Sequence, residues 1–321
     1  MPRVVWRHRS CTLWQRPNLR HPLKLASVAY AALRLSGVTT AARRLRSSGL
    51  VLCYHNVIPH ADAGIWGTLG LHMPFPTFAR QMRWLADNYD VVPLDRLVDR
   101  VASGEALRAT AAVTFDDAYA GVFEHAWPLL QGLRIPATVF VVAQAPGSDT
   151  DFWWDHPGVL RVYSDARRQR WLTALRGDGA AIVASLDQNG SIPLRPPRAC
   201  RPADWATITG AAQAGLGIGA HSATHRSLPT LGRIDLEHEV IESRDVIARH
   251  TGKAPDLFAY PYGLTSDHVR EVVRSAGYRA AFTLDRGRNT VGTDPWALRR
   301  LNVPAGIGED AFDAWTVGLH P

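Results

Sequence analysis

From residue 49 onward, short apolar runs alternate along the chain with longer stretches in which apolar residues recur at helical spacing. Seven runs predict short buried strands: residues 49–55, 112–115, 136–142, 215–221, 257–262, 280–284 and 298–303. Helical spacing is found between or after these runs, at residues 75–89, 94–101, 119–130, 234–250, 265–276 and 309–318. Strands that alternate with helices predict a parallel sheet. With seven strands, we favour a closed, irregular α/β barrel over a doubly wound sheet.

One long segment interrupts this alternation. Residues 143–202 contain a single convincing helix near residues 166–175, an aromatic cluster at residues 152–155 (FWWD) and a return rich in proline and arginine. The segment is short for a domain and long for a connection. We interpret it as an insertion over the mouth of the barrel. Trp153 and Trp154 can form a platform on which a sugar stacks, although buried packing is expected for at least one of them.

The charge of the chain is concentrated at its N-terminus. The formal net charge of the 321 residues is +7, but residues 1–61 hold ten Arg or Lys and no Asp or Glu. The remainder therefore holds 26 basic and 29 acidic residues, a net charge of −3. This distribution disfavours a nucleic-acid-binding protein.

The N-terminal segment itself has two interpretations. Residues 23–45 predict a helix with an apolar face and several arginines near its end. Such a helix can lie on an anionic membrane surface, which would give peripheral membrane contact through residues 1–46, or it can pack on the main domain behind a basic leader. Its apolar run is too short to cross a bilayer. We divide the chain into residues 1–48, the leader and amphipathic helix, and residues 49–321, the barrel domain.

The three cysteines are widely spaced and odd in number, which gives no disulfide framework. A reducing compartment fits this pattern best. We therefore expect a cytoplasmic protein that associates with the membrane if the leader binds lipid, and the sequence offers no convincing signal peptide.

Two predicted strands end in residues that suit a metal site. The strand at residues 112–115 is followed by Asp116 and Asp117, and the strand at residues 215–220 by His221 and His225. Enzymes with parallel sheets keep their chemistry at this end of the strands. The two histidines share one face if the segment turns helically, and one aspartate can join them while the other serves as a base. The alternative for either aspartate is a helix cap.

A third strand end belongs to the same edge. In the sequence Tyr260-Pro261-Tyr262-Gly263, the proline fixes the local backbone and the glycine permits an unusual turn. A backbone N–H exposed here can donate a hydrogen bond to an oxyanion. A plain turn after a buried strand is the alternative.

The order of these motifs, TFDD, then HSxxH, then YPYG, resembles the polysaccharide deacetylase family, carbohydrate esterase family 4. The resemblance runs from about residue 51 to residue 303, and LCYHNV and FAYPYG resemble its exopolysaccharide-synthesis branch. It implies a distorted (β/α)7-type TIM-like barrel that removes N-acetyl groups from amino sugars with a divalent metal, often zinc. It also implies roles for five residues. Asp116 is the base, Asp117, His221 and His225 are the metal ligands, and the backbone N–H of Tyr262 is the oxyanion donor.

The sequence departs from the family pattern at two points. Ala259 replaces an arginine that orients the base, so we expect that contact to be missing. No late leucine-rich strand ends in the histidine that acts as the acid, and His320, after a predicted helix, is a poor substitute. His55 ends the first strand, and its imidazole, with an ordinary pKa near ~6.5, suits a proton donor. A hydrogen-bonded core histidine is the alternative for His55.

Three hypotheses for function follow. The favoured one is a metal-dependent hydrolase that removes N-acetyl groups from an amino sugar in a polysaccharide or a lipid-linked precursor, with an aspartate base that activates water. The others are a catalytically silent glycan-binding barrel and a metal-dependent amidase with a non-sugar substrate. The presence of Asp116 favours an enzyme. A binding module has no need for a carboxylate that lies beside the metal without being one of its ligands.

Overall fold

The structure, a computed structural model, describes residues 23–59, 64–186 and 194–319, and the side chains from residue 28 onward. The strands are β1 Leu50–Tyr54, β2 Asn56–Ile58, β3 His72–Pro74, β4 Asp90–Val91, β5 Thr110–Phe115, β6 Ala137–Val141, β7 Gly217–Ala220, β8 Leu257–Ala259, β9 Ala280–Phe282 and β10 Leu301–Asn302. The helices are α1 Leu23–Leu35, α2 Val38–Leu45, α3 Phe75–Asn88, α4 Leu94–Ser103, α5 Trp127–Leu133, α6 Pro157–Val162, α7 Asp165–Thr173, α8 Gly179–Ala184, α9 Trp205–Gln213, α10 Arg233–Thr251, α11 Asp267–Ser275 and α12 Glu309–Thr316.

The main sheet is a parallel, curled ribbon that forms the predicted barrel. Its strands follow the order β10-β1-β5-β6-β7-β8-β9, and β4 pairs with the first residues of β5. The segment that leads into β10 joins the two ends of the ribbon. Leu298 bridges to Phe282 of β9, and Leu301 pairs with Leu52 of β1. The prediction of a distorted seven-stranded barrel is therefore confirmed, and the irregular part is the closure.

The pleat of the strands separates two apolar layers. Alternate residues such as Val113 and Phe115 of β5 pack with the outer helices, whereas Ala112 packs inside with Phe140 and Phe282. Phe140 fills the interior so closely that a Cβ on Gly219 would lie 2.4 Å from its ring, which explains a glycine in β7. Because side chains alternate along a strand, Asp116, the residue after β5, also points toward the interior.

Helix α4 covers one end of the barrel and leaves the other end free for the site. Leu97 of α4 belongs to the inner cluster and lies against Gly49, just before β1. The N-terminal ends of the strands are thus covered. The C-terminal ends, where the predicted site residues lie, face the insertion.

The insertion contains more structure than its pattern predicts. Besides α7, the predicted helix, it holds α6, α8 and short 3-10 helices at Trp153–Asp155 and Arg198–Cys200. Trp153 and Trp154 are 7% and 3% exposed. Both therefore pack in the interior, and neither offers an exposed stacking platform. The small parallel pair β2–β3 and helix α9 were also not predicted.

The N-terminal helix is broken in two and packs on the C-terminal helix. Gly37 adopts a left-handed φ of 74° between α1 and α2, where the sequence predicted one continuous helix. Arg43 of α2 forms a buried ion pair with Asp313 of α12, and Thr39 donates a hydrogen bond of 2.8 Å to the same carboxylate. Packing on the main domain is thus the arrangement of the described part of the leader. Among the described residues, no helix is both long and apolar enough to cross a membrane.

Candidate active site

The six residues singled out from the sequence line one pocket at the C-terminal edge of the sheet. Its lining comprises His55, Asp116, Asp117, His221, His225 and Tyr262, together with Leu71, Trp154, Leu284 and Asn302. Each predicted residue follows a strand directly or within a few residues, so the parallel sheet brings them together from distant parts of the chain. His320 lies outside the described residues.

Three of these side chains point donor atoms at a common point. Asp117 Oδ1 lies 3.6 Å from His221 Nε2 and 3.5 Å from His225 Nε2, and the two imidazole nitrogens are 3.2 Å apart. Ligands in a tetrahedral site at ~2.1 Å from zinc are about 3.4 Å apart. The spacing of the three donors therefore fits a tetrahedral metal ion.

The two histidines are held in this arrangement by a loop rather than by a helix. After β7 the chain takes left-handed turns at Ser222 and His225, both with a φ of 63°, and Ser222 Oγ accepts a hydrogen bond from the backbone of His225. The helical turn considered for HSATH is therefore absent. Left-handed non-glycine residues store strain, and such positions cluster at functional sites.

The protonation of the two histidines also suits a metal. His221 Nδ1 lies 2.8 Å from the carbonyl oxygen of Ala259, which fixes the tautomer with a lone pair on Nε2. Burial lowers the pKa of both His221 and His225, so both rings are neutral near neutral pH. Burial and the neighbouring Asp116 and Asp155 raise the pKa of Asp117 well above its usual range, so this carboxyl group favours its ionised form only when a cation is bound beside it.

Asp117 Oδ1 is buried and has no hydrogen-bond partner among the described residues. A buried carboxylate oxygen without a partner is costly, and a bound cation would remove that cost. The orphaned oxygen and the two facing imidazole nitrogens thus fit a divalent ion.

Asp116 has a different environment, because it forms an ion pair with Arg300. The guanidinium donates from Nη1 to Oδ1 at 2.7 Å and from Nη2 to Oδ2 at 2.8 Å, and both side chains are completely buried. Burial alone would raise the pKa of Asp116, but the charge of Arg300 and its hydrogen bonds outweigh burial and hold that pKa below its usual range. Asp116 is therefore ionised and oriented, as a base must be.

The expectation that the orienting arginine is missing was wrong. Ala259 stands at the family position, but Arg300 reaches Asp116 from the segment that closes the barrel. Nε of Arg300 also donates to the carbonyl oxygen of Thr283 at 3.1 Å, and the guanidinium lies over the ring of Phe140. The signal was present in the sequence, because LRRLNV places two arginines in a run that otherwise predicts a buried strand.

His55 lies in the pocket, near Asp116. Ligand atoms of His55, Cys53 and Asp116 lie within 4.8 Å of one another. These three residues form a second group of metal-type donors, but Arg300 already neutralises Asp116, which disfavours a cation there. Burial lowers the pKa of His55 to about 4, so the ordinary value expected from the sequence was wrong for this site. The ring is neutral at neutral pH.

The side chain of Tyr262 supports the loop that carries His225. Its hydroxyl donates to the carbonyl oxygen of His225 at 3.0 Å, and its ring packs edge-on against the His225 ring. The backbone of Tyr262 is left-handed, with a φ of 59°. Gly263 follows with a φ of 69°, and a Cβ there would lie 2.6 Å from Leu284. The unusual turn predicted for this glycine is present.

A buried polar network, which no sequence pattern indicated, lies behind the pocket. Trp154 packs against the ring of His225 and donates from Nε1 to the hydroxyl of Tyr119 at 2.6 Å. That hydroxyl donates to Asp155 at 2.6 Å, and His72 Nε2 lies 3.0 Å from the same carboxylate. Burial opposes protonation of His72, but Asp155 raises the pKa of His72 to about 10. The network holds Trp154 against a predicted metal ligand.

A larger cavity adjoins the pocket on the side of the insertion. It has a volume of about 1150 Å³, and it shares Trp154 and His225 with the pocket. Its walls are largely apolar, with Phe152, Val183 and Leu194 among them. The insertion therefore builds a recess beside the predicted metal ligands that is large enough for a group much bigger than an acetyl group.

Comparison with known proteins identifies the family of the chain. A model of the family described as polysaccharide deacetylase matches residues 103–281, a segment that contains Asp116, Asp117, His221, His225 and Tyr262. A poly-beta-1,6-N-acetyl-D-glucosamine N-deacetylase of Staphylococcus aureus (strain MSSA476) is 20% identical over 244 residues, which cover 76% of this chain and 71% of the relative.

Solved structures share the fold. IcaB from Ammonifex degensii matches with a TM-score of 0.60 and 22% identity, over 85% of this chain and 98% of that one. The Streptococcus pyogenes deacetylase PplD, solved with acetate, matches with a TM-score of 0.59 and 16% identity, over 82% of this chain and 96% of that one. At these identities the likeness shows the (β/α)7 fold alone.

The family match covers more than half of the chain and includes the paired aspartates and both histidines. It leaves out His55, which lines the pocket, and Arg300, which is buried and binds Asp116. The chain therefore belongs to the polysaccharide deacetylase family, hydrolases that act on the carbon–nitrogen bond of N-acetylated sugars.

Proposed function

We propose that this deacetylase works with one divalent metal ion, held by Asp117, His221 and His225, and that the ion is zinc. The observation that carries the proposal is the set of three buried donor atoms, 3.2–3.6 Å apart, that face one another. Two neutral imidazoles and one carboxylate match the ligands of catalytic zinc sites, which keep an open position. When bound, the ion would polarise the acetamide carbonyl and make a water molecule more acidic.

Asp116 is the proposed general base. Its carboxylate is ionised and fixed by Arg300, and its Oδ2 lies 3.8 Å from His221 Nε2, beside the donor set but outside it. In this position Asp116 can take a proton from the attacking water. The backbone N–H of Tyr262 is the proposed hydrogen-bond donor to the oxyanion that develops on the acetyl group, because the left-handed turn places this residue at the pocket.

His55 is the proposed proton carrier to the leaving nitrogen. Asp116 removes one proton from water, and the leaving nitrogen needs one proton when the carbon–nitrogen bond breaks. A neutral His55 near Asp116 can accept this proton and pass it on. The negative charge that develops on the substrate favours the protonated imidazole at that moment.

Asn302 is a further candidate for contact with the substrate. Its Oδ1 is buried, has no hydrogen-bond partner among the described residues and belongs to a residue that lines the pocket. We propose that this oxygen accepts a hydrogen bond from the N–H of the acetamide. The adjoining cavity would hold the part of the substrate next to the reacting sugar, in a polymer or a lipid-linked precursor.

Acetate release from N-acetylglucosamine oligomers tests this function. The panel should include β-1,6-linked oligomers, the linkage named for the Staphylococcus aureus relative, and lipid-linked sugars. We expect activity that a chelator abolishes and that zinc restores. Asp116→Asn should abolish activity but retain the metal. Glycan binding without acetate release under any metal would instead support the silent barrel, and release from non-sugar acetamides alone would support an amidase.

A further inference from the structure

Helix α1 turns an apolar face outward. Its exposed positions include Val28, Ala29, Ala32 and Leu35, which recur at the spacing of one helical face. Val28 is 67% exposed and Leu35 is 87% exposed. The polar face of a helix on the surface of a domain is normally exposed to solvent, and the apolar face is buried. Here the side that faces α12 carries the polar contact instead, since Tyr30 accepts a hydrogen bond from Trp315.

Helix α2 likewise buries polar residues and exposes apolar ones. Its polar residues Thr39 and Arg43 are buried against Asp313, whereas Val38, Ala41 and Leu45 are exposed. Among the described residues, nine large apolar side chains are exposed, and four of them are Val28, Leu35, Val38 and Leu45. We call the seven exposed apolar residues between residues 28 and 45 the N-terminal apolar face: Val28, Ala29, Ala32, Leu35, Val38, Ala41 and Leu45.

Basic residues lie next to the N-terminal apolar face in the sequence. Ion pairs neutralise Arg34 and Arg43 through α12, but Arg44 and Arg46 form no ion pair with a described residue. Residues 1–22 add five arginines and no acid. Apolar side chains beside clustered basic residues are the combination that binds an anionic bilayer surface, where apolar groups enter the headgroup region and basic groups meet the phosphates.

We propose that the N-terminal apolar face binds the surface of an anionic membrane and holds the deacetylase there. A second copy of the chain fits less well, because a symmetric contact would bring two strongly basic segments together. The remainder of the chain has a net charge of −3, so the attraction is confined to this segment and orients the protein. This inference concerns the N-terminal helices and does not depend on the catalytic proposal.

Vesicle sedimentation with the full chain tests the proposal. The vesicles are phosphatidylcholine alone or phosphatidylcholine with about 30% phosphatidylglycerol, and the salt is about 0.05 M or about 0.5 M. We expect binding to the anionic vesicles at low salt, much weaker binding at high salt, and little binding to phosphatidylcholine alone. Equal binding to both vesicles at both salt concentrations, or no binding to either, would overturn the proposal.

Variants separate the apolar and the electrostatic parts. The double change Leu35→Gln with Leu45→Gln should weaken binding about tenfold or more, because two exposed leucines lose apolar burial. Its control is Ile234→Gln, an equally exposed residue of α10, which should bind like the unchanged chain. Arg44→Glu should weaken binding by at least about fivefold, whereas Lys253→Glu, the same change of charge elsewhere, should have little effect.

Light scattering measures the oligomeric state and thus tests the alternative, a second copy of the chain bound to the N-terminal apolar face. All four variants change exposed residues, so their thermal melts should match that of the unchanged chain. If the double leucine variant binds vesicles like the unchanged chain but converts a dimer into a monomer, the N-terminal apolar face is a contact between copies and the membrane proposal is wrong.

Discussion

Replacing Arg300 by methionine would remove the group that holds the proposed base. The two hydrogen bonds to Asp116, of 2.7 and 2.8 Å, would be lost, while methionine would fill much of the same space inside the barrel. Asp116 would remain buried, 1% exposed, without its counter-charge. Removing one partner of a buried ion pair costs about 3–5 kcal/mol of folding free energy. We expect a loss of stability of this size at neutral pH.

The same change should move the pH dependence of catalysis. Arg300 opposes the effect of burial on Asp116, so without it the pKa of Asp116 rises. A base with a higher pKa is protonated at a higher pH, and the acidic limb of kcat/KM therefore shifts upward. Where Asp116 is protonated, activity should fall by about 10²–10⁴, the contribution of a general base. Metal content should not change, because Arg300 contacts none of the three proposed ligands.

A double-mutant cycle with Asp116→Asn isolates the interaction. Each single change leaves one buried partner unsatisfied, whereas the double variant removes both charges, so the two losses of stability should be clearly less than additive. Arg300→Lys keeps the charge but not the two-pronged contact, and should shift the pH profile less than methionine does. Strict additivity, together with an unchanged pH profile in Arg300→Met, would refute the orienting role of Arg300.

Three further predictions concern other parts of the molecule. Asp117→Asn should lose bound metal by elemental analysis, whereas Asp116→Asn should retain it; equal loss in both would contradict the division of roles. His72→Gln should abolish a pH-dependent part of the stability, measured by denaturant unfolding. Because the folded pKa of His72 is about 10, that part is complete below about pH 6.5 and is lost toward pH 10. Deleting residues 1–46 should lower the melting temperature, because it removes helices α1 and α2, which contact α12 through the Arg43–Asp313 ion pair and the Thr39–Asp313 hydrogen bond.

The architecture could be predicted from the sequence because its strands are short, buried and well separated. Six of the seven predicted runs contain strands of three to six residues within the predicted bounds or within two residues of them. Their parallel order made the convergence of Asp116, His221 and Tyr262 predictable, because parallel strands end at one edge. Apolar runs and helical spacing together were sufficient for this part of the prediction.

The insertion could not be predicted in the same way. Its helices α6 and α8 have only six residues each, too short for a helical period to show. The network of Trp154, Asp155 and Tyr119 joins side chains that are 35 or 36 residues apart in the chain. No local pattern carries contacts of this kind. The pKa of His55 was missed for a similar reason, because it depends on burial by residues from other strands.

Arg300 shows where local patterns fail in a functional site. Strand β10 has two residues, and the segment before it makes a single bridge to β9, so the closure of the barrel is barely visible as a strand. That segment nevertheless brings Arg300 into contact with Asp116, and β10 brings Asn302 into the pocket. The segment that closes the barrel is thus also the segment that orients the proposed base, Asp116. An arginine inside a barrel is tolerable only because Asp116 neutralises it, so the pair constrains the fold and the chemistry together.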